Sequence, residues 1–308
     1  NPKTLILVGK NGTGKTTLLS SIVDSLYELS NSAFSDILPK NGNGYRYFRI
    51  SGASNMRVGS SYAFAYIEYK NTDNHSYEYI EKNGQISSSF LREKTQNLLR
   101  INISDGDGNF KEITNTAENS EFKKDFSSNS YCYFPSDRYE LPYWLNRETI
   151  KQSEQFVDIK RFSDKLDREI LVRRSIDDIK QWILDVFLDS RADLVFQGQN
   201  VSTKISTNTL RLLKQSIENI ENIISKIVQT DISIDLNFRG QGHSRIKLVE
   251  RGSGKIFSPT LDNLSAGQST LLGIFATIIK YSDRLEINKS IHLNEIEGIV
   301  IIDEVDLH

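Results

Sequence analysis

The sequence has little cysteine, methionine and tryptophan, and it has no long apolar run. Its one cysteine, Cys132, excludes an internal disulfide framework and a cysteine-rich zinc site, and it suits a reducing cytosol. No apolar run approaches the roughly 18 to 20 residues that cross a bilayer, and the start at Asn1 lacks a secretory signal pattern. We therefore expect a cytoplasmic chain that has no membrane partner.

Charge of one sign is also lacking. The 38 basic residues nearly balance the 40 acidic ones, and a net charge of -2 excludes a bulk attraction to nucleic acid or to an anionic membrane. Basic residues do cluster between Lys160 and Arg174, but acidic residues interleave with them. We interpret this stretch as a solvated helix with ion pairs, and a local contact with DNA or RNA stays open.

The chain opens on Thr4–Val8, a continuous apolar run bounded by glycine. This pattern predicts a strand that is buried on both faces of a parallel sheet, and residues 16–29 then predict a helix. From about residue 45 to 136, short runs rich in Tyr, Phe and Ile predict a mostly antiparallel β region. Because the sequence begins without methionine and strand-like runs lie near both ends, we expect a piece of a longer chain.

Beyond residue 143 the pattern is helical. Apolar residues from Ile176 to Phe187 recur at the spacing of one buried helix face. A second series, Leu210 to Ile227, predicts either one helix packed on a core, which we prefer, or a short coiled coil. Residues 231–238 and 244–250 predict strands, and residues 251–255 predict the hairpin turn into a third strand.

A glycine-rich segment follows the first apolar run and matches the pattern GxxxxGK[ST], between a predicted strand and a predicted helix. Its glycines let backbone N–H groups surround phosphates, and the helix start favours negative charge. We assign nucleotide binding to Gly9, Asn11, Gly12, Thr13, Gly14, Lys15, Thr16 and Thr17. Lys15 should contact the β- and γ-phosphates and assist catalysis, and the Thr16 hydroxyl should bind Mg²⁺.

Two adjacent carboxylates follow a second apolar run, Gly298–Ile302. They would lie at the carboxyl end of a strand, where ligands bind in open α/β sheets. Such a run is a weak signal alone, but beside the glycine-rich segment it is a Walker B pattern. Asp303 would then hold Mg²⁺, and Glu304 would polarise the attacking water as general base.

The pentad Leu264-Ser265-Ala266-Gly267-Gln268, followed by an apolar helix, resembles the LSGGQ signature of ABC-type ATPases. The order P-loop, signature, Walker B is the order of that family, and Ala266 stands where the family usually has glycine. The resemblance implies an α/β fold: a P-loop NTPase of ABC ATPase type with a central sheet, an antiparallel β subdomain and an inserted helical lobe. It also implies ATP and Mg²⁺ as ligands and an ATPase reaction.

The resemblance further implies that two heads form a homodimer, or a higher oligomer, around ATP. Ser265, Gly267 and Gln268 would then contact ATP bound to the partner's P-loop. Ser265 would also suit a helix cap, and both roles can hold together. Asp306 would lie in the D-loop that communicates across the dimer, with a surface acid as the alternative, whereas His308 is not the family's switch histidine.

The glutamine with which this family senses Mg²⁺ and the γ-phosphate has no clear counterpart. Residues 131–138 lie at the matching point in chain order. They are either a structural turn or a replacement that brings Asp137 or Arg138 near the nucleotide. Gln197 and Gln199 are further candidates.

The long insertion between P-loop and signature narrows the resemblance, because transporter subunits are more compact. With the run Asp303–His308, the chain is more similar to soluble ATPases of the RecF, SMC and OLD class, particularly those of bacterial anti-phage systems such as Septu PtuA and retron-associated relatives. Such ATPases control a nuclease on the same chain or in a partner. We therefore expect nuclease control in anti-phage defence.

Two alternatives remain, a DNA-repair or chromosome-organising head that clamps DNA and an ATP-sensing scaffold with little turnover. In each case we predict one composite head. Residues 1–140 would form the P-loop half with the antiparallel β region, residues 141–230 the helical lobe, and residues 231–308 the half with the signature and Walker B.

Overall fold

The computed structural model divides the chain into two compact units, residues 1–127 with 161–170 and residues 128–160 with 171–308. The structure describes residues 3–37, 58–71, 75–96, 112–115, 119–138, 140, 164–191, 207–238, 244–283, 293 and 296–305. Both units mix helices and strands, so the predicted α/β class is confirmed. The three-part division at residues 140 and 230 stays a prediction.

The first unit contains an antiparallel three-stranded sheet in the order β1-β2-β3. The antiparallel pairing predicted for residues 45–136 is confirmed in these strands. Helices interrupt the region, however; α2 forms because Ser87 caps its start and Leu91 is fully buried. The elements are α1 (Lys15–Asn31), β1 (Tyr62–Lys70), β2 (Ser76–Gly84), α2 (Ser88–Lys94), β3 (Glu112–Asn115) and α3 (Asn119–Ser128).

Helix α1 confirms the helix predicted over residues 16–29. Its buried face contains Val23, Leu26 and Leu29, each at most 1% exposed. On the same face the Ser25 hydroxyl shares a hydrogen bond with the Tyr69 hydroxyl of β1. The helix that follows the glycine-rich segment thus buries an apolar face within its own unit and is hydrogen-bonded to β1.

The prediction of a buried strand at Thr4–Val8 is wrong for this structure. Residues 3–10 have no regular secondary structure, and the side chains of Leu5, Ile6 and Val8 are 81%, 76% and 90% exposed. A strand needs a neighbouring strand for its backbone hydrogen bonds, and the described residues pair none with this run. The apolar pattern records a tendency to be buried, but it does not supply the pairing partner.

The second unit contains two sheets and three long helices. Its elements are β4 (Ser130–Phe134), α4 (Ile176–Ser190), α5 (Thr207–Val228), β5 (Ile232–Leu236), β6 (Ile246–Glu250), β7 (Ile256–Ser258), α6 (Ala266–Ser282) and β8 (Gly298–Ile302). Strands β4 and β8 are parallel, and β5-β6-β7 form an antiparallel sheet. The strands predicted at 231–238 and 244–250, and the turn at 251–255, are confirmed.

Helix α6 lies between the two parts of this unit's core. One side packs on β4 and β8 through a cluster that includes Cys132 and Ile274, and the Ser130 hydroxyl donates to the Ile278 carbonyl at 2.6 Å. The other side joins the cluster formed by α4, α5, β5 and β6. Helix α5 belongs to that cluster through Ile217, Ile220 and Ile224, which supports one helix on a core rather than a coiled coil.

The pairing of β4 with β8 depends on a glycine. Gly298 has a φ of +125°, which residues with a side chain rarely adopt, and a Cβ there would meet the Ser130 carbonyl carbon at 2.6 Å. From this point the register runs from Ser130 opposite Gly298 to Phe134 opposite Ile302. The close approach delivers the end of β8 beside the end of β4.

The helix predicted around the basic cluster is wrong for its described part, because residues 164–175 are irregular. Their backbone bonds elsewhere: the Leu166 and Asp167 amides donate to Asp36, and the Val172 amide donates to the Tyr133 carbonyl at 2.9 Å. These long-range acceptors replace the i−4 carbonyls that a helix would use. Among the helices that the structure describes, none is long and apolar enough to cross a membrane.

Candidate functional site

The glycine-rich segment forms a tight loop directly before α1. The Lys10 carbonyl accepts bonds from the Thr13 amide at 3.3 Å and the Thr13 hydroxyl at 2.8 Å. Gly12 and Gly14 have φ values of +79° and +89°, in the left-handed region where glycine is favoured. The loop is exposed throughout. Its glycines are therefore required by the backbone path that the pattern predicted.

Lys15 begins α1, and its side chain returns over the loop. The ammonium Nζ donates to the carbonyls of Gly9 at 2.7 Å and Lys10 at 3.1 Å. The first turn of α1 carries no acidic residue, so no carboxylate there competes with an anionic ligand for the positive end of the helix dipole. A cation, a helix start and an exposed loop together suit a polyphosphate.

At the carboxyl end of β8, Asp303 is only 7% exposed. Its amide donates to the Phe134 carbonyl at 3.0 Å, which continues the pairing with β4 by one residue. Its carboxylate accepts from the Glu304 amide at 3.1 Å and is hydrogen-bonded to the Tyr133 hydroxyl. Burial, with the nearby charges of Asp303 and Asp137, raises the pKa of Tyr133 to about 12. Tyr133 therefore remains a proton donor toward Asp303.

Arg138 contacts the backbone of the same acid pair, a role that the sequence did not reveal. Its guanidinium donates to the carbonyls of Asp303 and Glu304, the latter at 3.1 Å, and to the Pro135 carbonyl at 2.8 Å. Burial lowers the pKa of Arg138, an effect that the charges of Asp303 and Glu304 oppose. Of residues 131–138, the first four belong to β4 and the rest form a turn, in which the Arg138 amide donates to the Pro135 carbonyl at 3.2 Å; the predicted turn is thus confirmed for residues 135–138.

The signature pentad forms the start of α6. Ser265 and Gln268 make a reciprocal capping box, in which the Ser265 hydroxyl accepts from the Gln268 amide and the Gln268 side chain accepts from the Ser265 amide. The predicted helix cap is thus confirmed. Ser265 and Ala266 are exposed, and a Cβ on Gly267 would meet nothing within 4 Å. The helix start therefore has room for a ligand or a partner.

Helix α4 contacts the residues that flank the two ends of α6. Lys180, only 6% exposed in its side chain, forms ion pairs with Asp177 at 2.9 Å and with Asp262, three residues before Ser265. Near the other end, the Trp182 indole donates to Asp283 at 2.9 Å. These contacts fix the orientation of the signature helix within its unit.

Glu140 attaches the chain after β4 to the start of α4. Its carboxylate accepts from the Ser175 amide at 2.7 Å and the Ile176 amide at 3.1 Å, and so caps a helix whose own N-cap side chain makes no such bond. A Cβ on Gly273 of α6 would lie 3.4 Å from this carboxylate. Burial raises the pKa of Glu140, while its two backbone bonds lower it.

The predicted site residues fall into two groups. The P-loop residues from Gly9 to Thr17 lie in the first unit, and the signature and the acid pair lie in the second. Asp306, His308, Gln197 and Gln199 lie outside the described residues. Sequence reasoning missed Glu140 and gave Tyr133 no role of its own within residues 131–138, because their partners are two distant amides and a distant carboxylate that no local pattern marks.

A family model described as an AAA domain matches residues 1–235 of this chain. The chain belongs to that family. A comparison with curated proteins gives no match. Membership makes this AAA domain a P-loop ATPase of the SMC- and RecF-like class, in which ATP is generally used with Mg²⁺. It supports ATP binding and hydrolysis as the coarse function.

Proposed function

We propose that this AAA domain is an ABC-type ATPase head that hydrolyses ATP with Mg²⁺ and pairs with a second head around the nucleotide. The observation that carries the proposal is the loop at residues 9–14, which is exposed, turns through two left-handed glycines and holds the Lys15 ammonium across its carbonyls. A polyphosphate offers oxygens to replace those carbonyls as acceptors for the ammonium. The loop amides and the start of α1 would bind the same phosphates.

Thr16 in the P-loop and Asp303 in Walker B are our proposed Mg²⁺ ligands. Mg²⁺ is commonly bound by one or two protein oxygens together with phosphates and water, so a large protein cage is not needed. In the described part of the chain, no group of three or more His, Cys, Asp or Glu side chains could hold a metal. When bound, the ion neutralises charge on the phosphates.

Glu304 is our proposed general base. It is exposed, while the preceding Asp303 is buried and held by Tyr133, so the two carboxylates have different surroundings. A buried, hydrogen-bonded carboxylate suits a fixed metal ligand, and an exposed one can reach a water molecule. Lys15 would contact the β- and γ-phosphates throughout the reaction.

Pairing of two heads is supported by the start of α6. Ser265 and Ala266 are exposed and Gly267 has open space beside it, so a phosphate on a second head can approach the amides of this helix start. The capping box occupies one Ser265 lone pair and leaves its hydroxyl proton to be donated. Ser265, Gly267 and Gln268 are the residues proposed to contact the partner's ATP.

Control of a nuclease in anti-phage defence is the biological role that we propose for this pairing. Its support is the sequence resemblance around residues 265–282 and 303–308. In this role, the ATP-bound pair and the separated heads would be the two states that a nuclease partner or a fused nuclease domain distinguishes.

One experiment tests both hydrolysis and pairing. Glu304→Gln should lower ATP turnover by roughly 10²- to 10⁴-fold, because water loses its base. Slow turnover should also keep ATP bound, so light scattering should detect pairs of this variant when ATP and Mg²⁺ are added. Adding Ser265→Arg should abolish the pairs, because a bulky cation then fills the start of α6.

Two controls make the result specific. Lys15→Ala should abolish ATP binding in a fluorescent-nucleotide titration and, with it, the pairing. Lys255→Ala changes a lysine in the hairpin turn at residues 251–255, which also has a Gly-Ser-Gly-Lys sequence but lies outside the P-loop. It should leave ATP binding and turnover unchanged. Equal turnover by the wild-type and Glu304→Gln chains would refute the proposed base, and pairing that survives Ser265→Arg would refute the arrangement across the pair.

A further inference from the structure

The turn after β8 has a strained backbone. Glu304 has a φ of +47°, in the left-handed region, although it is not glycine. Such a conformation costs about 1–2 kcal/mol for an ordinary residue, and it persists only where surrounding contacts determine it. The strain lies at the residue proposed as the general base, so whatever holds this turn also decides where that carboxylate lies.

Arg138 supplies the contacts that hold the turn. It is 4% exposed, and its two terminal nitrogens donate to the successive carbonyls of Asp303 and Glu304. One of these nitrogens also donates to the Pro135 carbonyl at 2.8 Å, which ties the guanidinium to the turn after β4. The planar fork of arginine can bond two adjacent acceptors at once, which a lysine ammonium does less rigidly.

The guanidinium is committed to this backbone. Its Nε is buried and has no hydrogen-bond partner in the described part of the chain. A buried donor without a partner destabilises the fold. Here the hydrogen bonds of both terminal nitrogens to carbonyls offset that loss. The other half of the turn is closed locally, because the Glu304 amide donates to the Asp303 carboxylate at 3.1 Å.

We propose that Arg138 is a positioning residue for ATP hydrolysis, which holds the left-handed turn at Glu304 and thereby the direction of the general base. This role rests on the proposed function of Glu304. Arg138 acts on the backbone carbonyls of the acid pair, and its contribution should therefore concern the chemical step more than the affinity for ATP.

Hydrogen exchange tests, without requiring activity, whether Arg138 holds the turn at Asp303 and Glu304. In Arg138→Lys and Arg138→Ala, amides 303–305 should exchange at least about 10-fold faster than in the wild-type chain, because the turn is no longer held. Arg173→Ala is the matched control: Arg173 pairs with Asp137 of the same turn at 2.9 Å, but both side chains are 60% exposed. It should leave this exchange unchanged. Equal exchange in all variants would overturn the proposal, whether or not the chain hydrolyses ATP.

Steady-state kinetics then separates positioning from general damage. Arg138→Lys should lower kcat by roughly 10- to 100-fold, since small displacements of a catalytic group have effects of this size, while KM for ATP stays within about 2-fold. In the Glu304→Gln background the same change should have almost no further effect, because there is no base to misplace. An equal fold-loss in both backgrounds, or a loss only in KM, would overturn the positioning role. If Arg138→Ala does not fold, Arg138→Lys carries both measurements.

Discussion

Replacing Gly298 by alanine should weaken the pairing of β4 with β8, so that the two strands separate more often. The alanine must take a φ near +125°, which costs about 1–3 kcal/mol for a residue with a side chain. Its Cβ would also overlap the Ser130 backbone, and overpacking typically costs another ~1–3 kcal/mol. The smaller estimates together give about 2 kcal/mol, which corresponds to a roughly 30-fold larger population of the opened strands.

Cys132 makes this opening measurable. It is the sole cysteine of the chain, is fully buried, and lies opposite Val300 of β8. A thiol reagent should therefore label the wild-type chain only when the strands separate. In Gly298→Ala the labelling rate under native conditions should rise by at least about 30-fold, provided that closing is faster than labelling.

The control for this measurement is Gly252→Ala in the turn between β6 and β7. There the φ is not positive and a Cβ meets nothing within 4 Å, so the labelling rate should not change. A labelling rate in Gly298→Ala within about 3-fold of the wild-type rate would refute the reasoning, because destabilising the paired strands by about 2 kcal/mol should raise the rate roughly 30-fold. The register of β4 against β8 would then need to differ from the one described.

Two further predictions concern buried charges near α4. Burial raises the pKa of Glu140 in the folded chain above its ordinary value of 4.5. Protonation of Glu140 therefore stabilises the fold fully below pH 4.5, and this stabilisation is lost as the pH rises through the pKa of the folded chain. Glu140→Gln keeps an acceptor oxygen, so its melting temperature relative to the wild-type chain should rise between pH 4 and pH 7; a difference independent of pH would contradict this. Lys180→Met should lower the free energy of unfolding in urea by about 2 kcal/mol, somewhat below the ~3–5 kcal/mol of fully buried pairs because its partners are partly exposed. Lys280→Met, whose partner is 70% exposed, should cost less than about 1 kcal/mol, and equal losses for the two lysines would refute the distinction.

Local patterns predicted several elements well. The helix after the glycine-rich loop, the apolar face from Ile176 to Phe187 and the strands around residues 232–250 all appear where periodicity indicated them. The left-handed glycines and the capping box at Ser265 were predictable for the same reason. Each depends on residues within one turn of helix or one loop, so the information is contained in a short stretch of chain.

Contacts between distant segments were not predictable in this way. The Thr4–Val8 run lacks the strand pairing that its apolar pattern suggested, and residues 164–175 bond to distant partners instead of forming a helix. Arg138 was identified only as a turn residue or a nucleotide neighbour, whereas it binds two carbonyls 165 and 166 positions further along the chain.

The sequence by itself determined the phosphate-binding loop, the acid pair after an apolar strand and the capped signature helix, because backbone conformation and capping are local properties. Only the tertiary structure decided that Tyr133, Arg138 and Glu140, all at or just beyond the end of one strand, reach the acid pair and the start of α4. Backbone carbonyls and amides carry no residue identity, so a side chain that binds them across the fold leaves no pattern in the sequence.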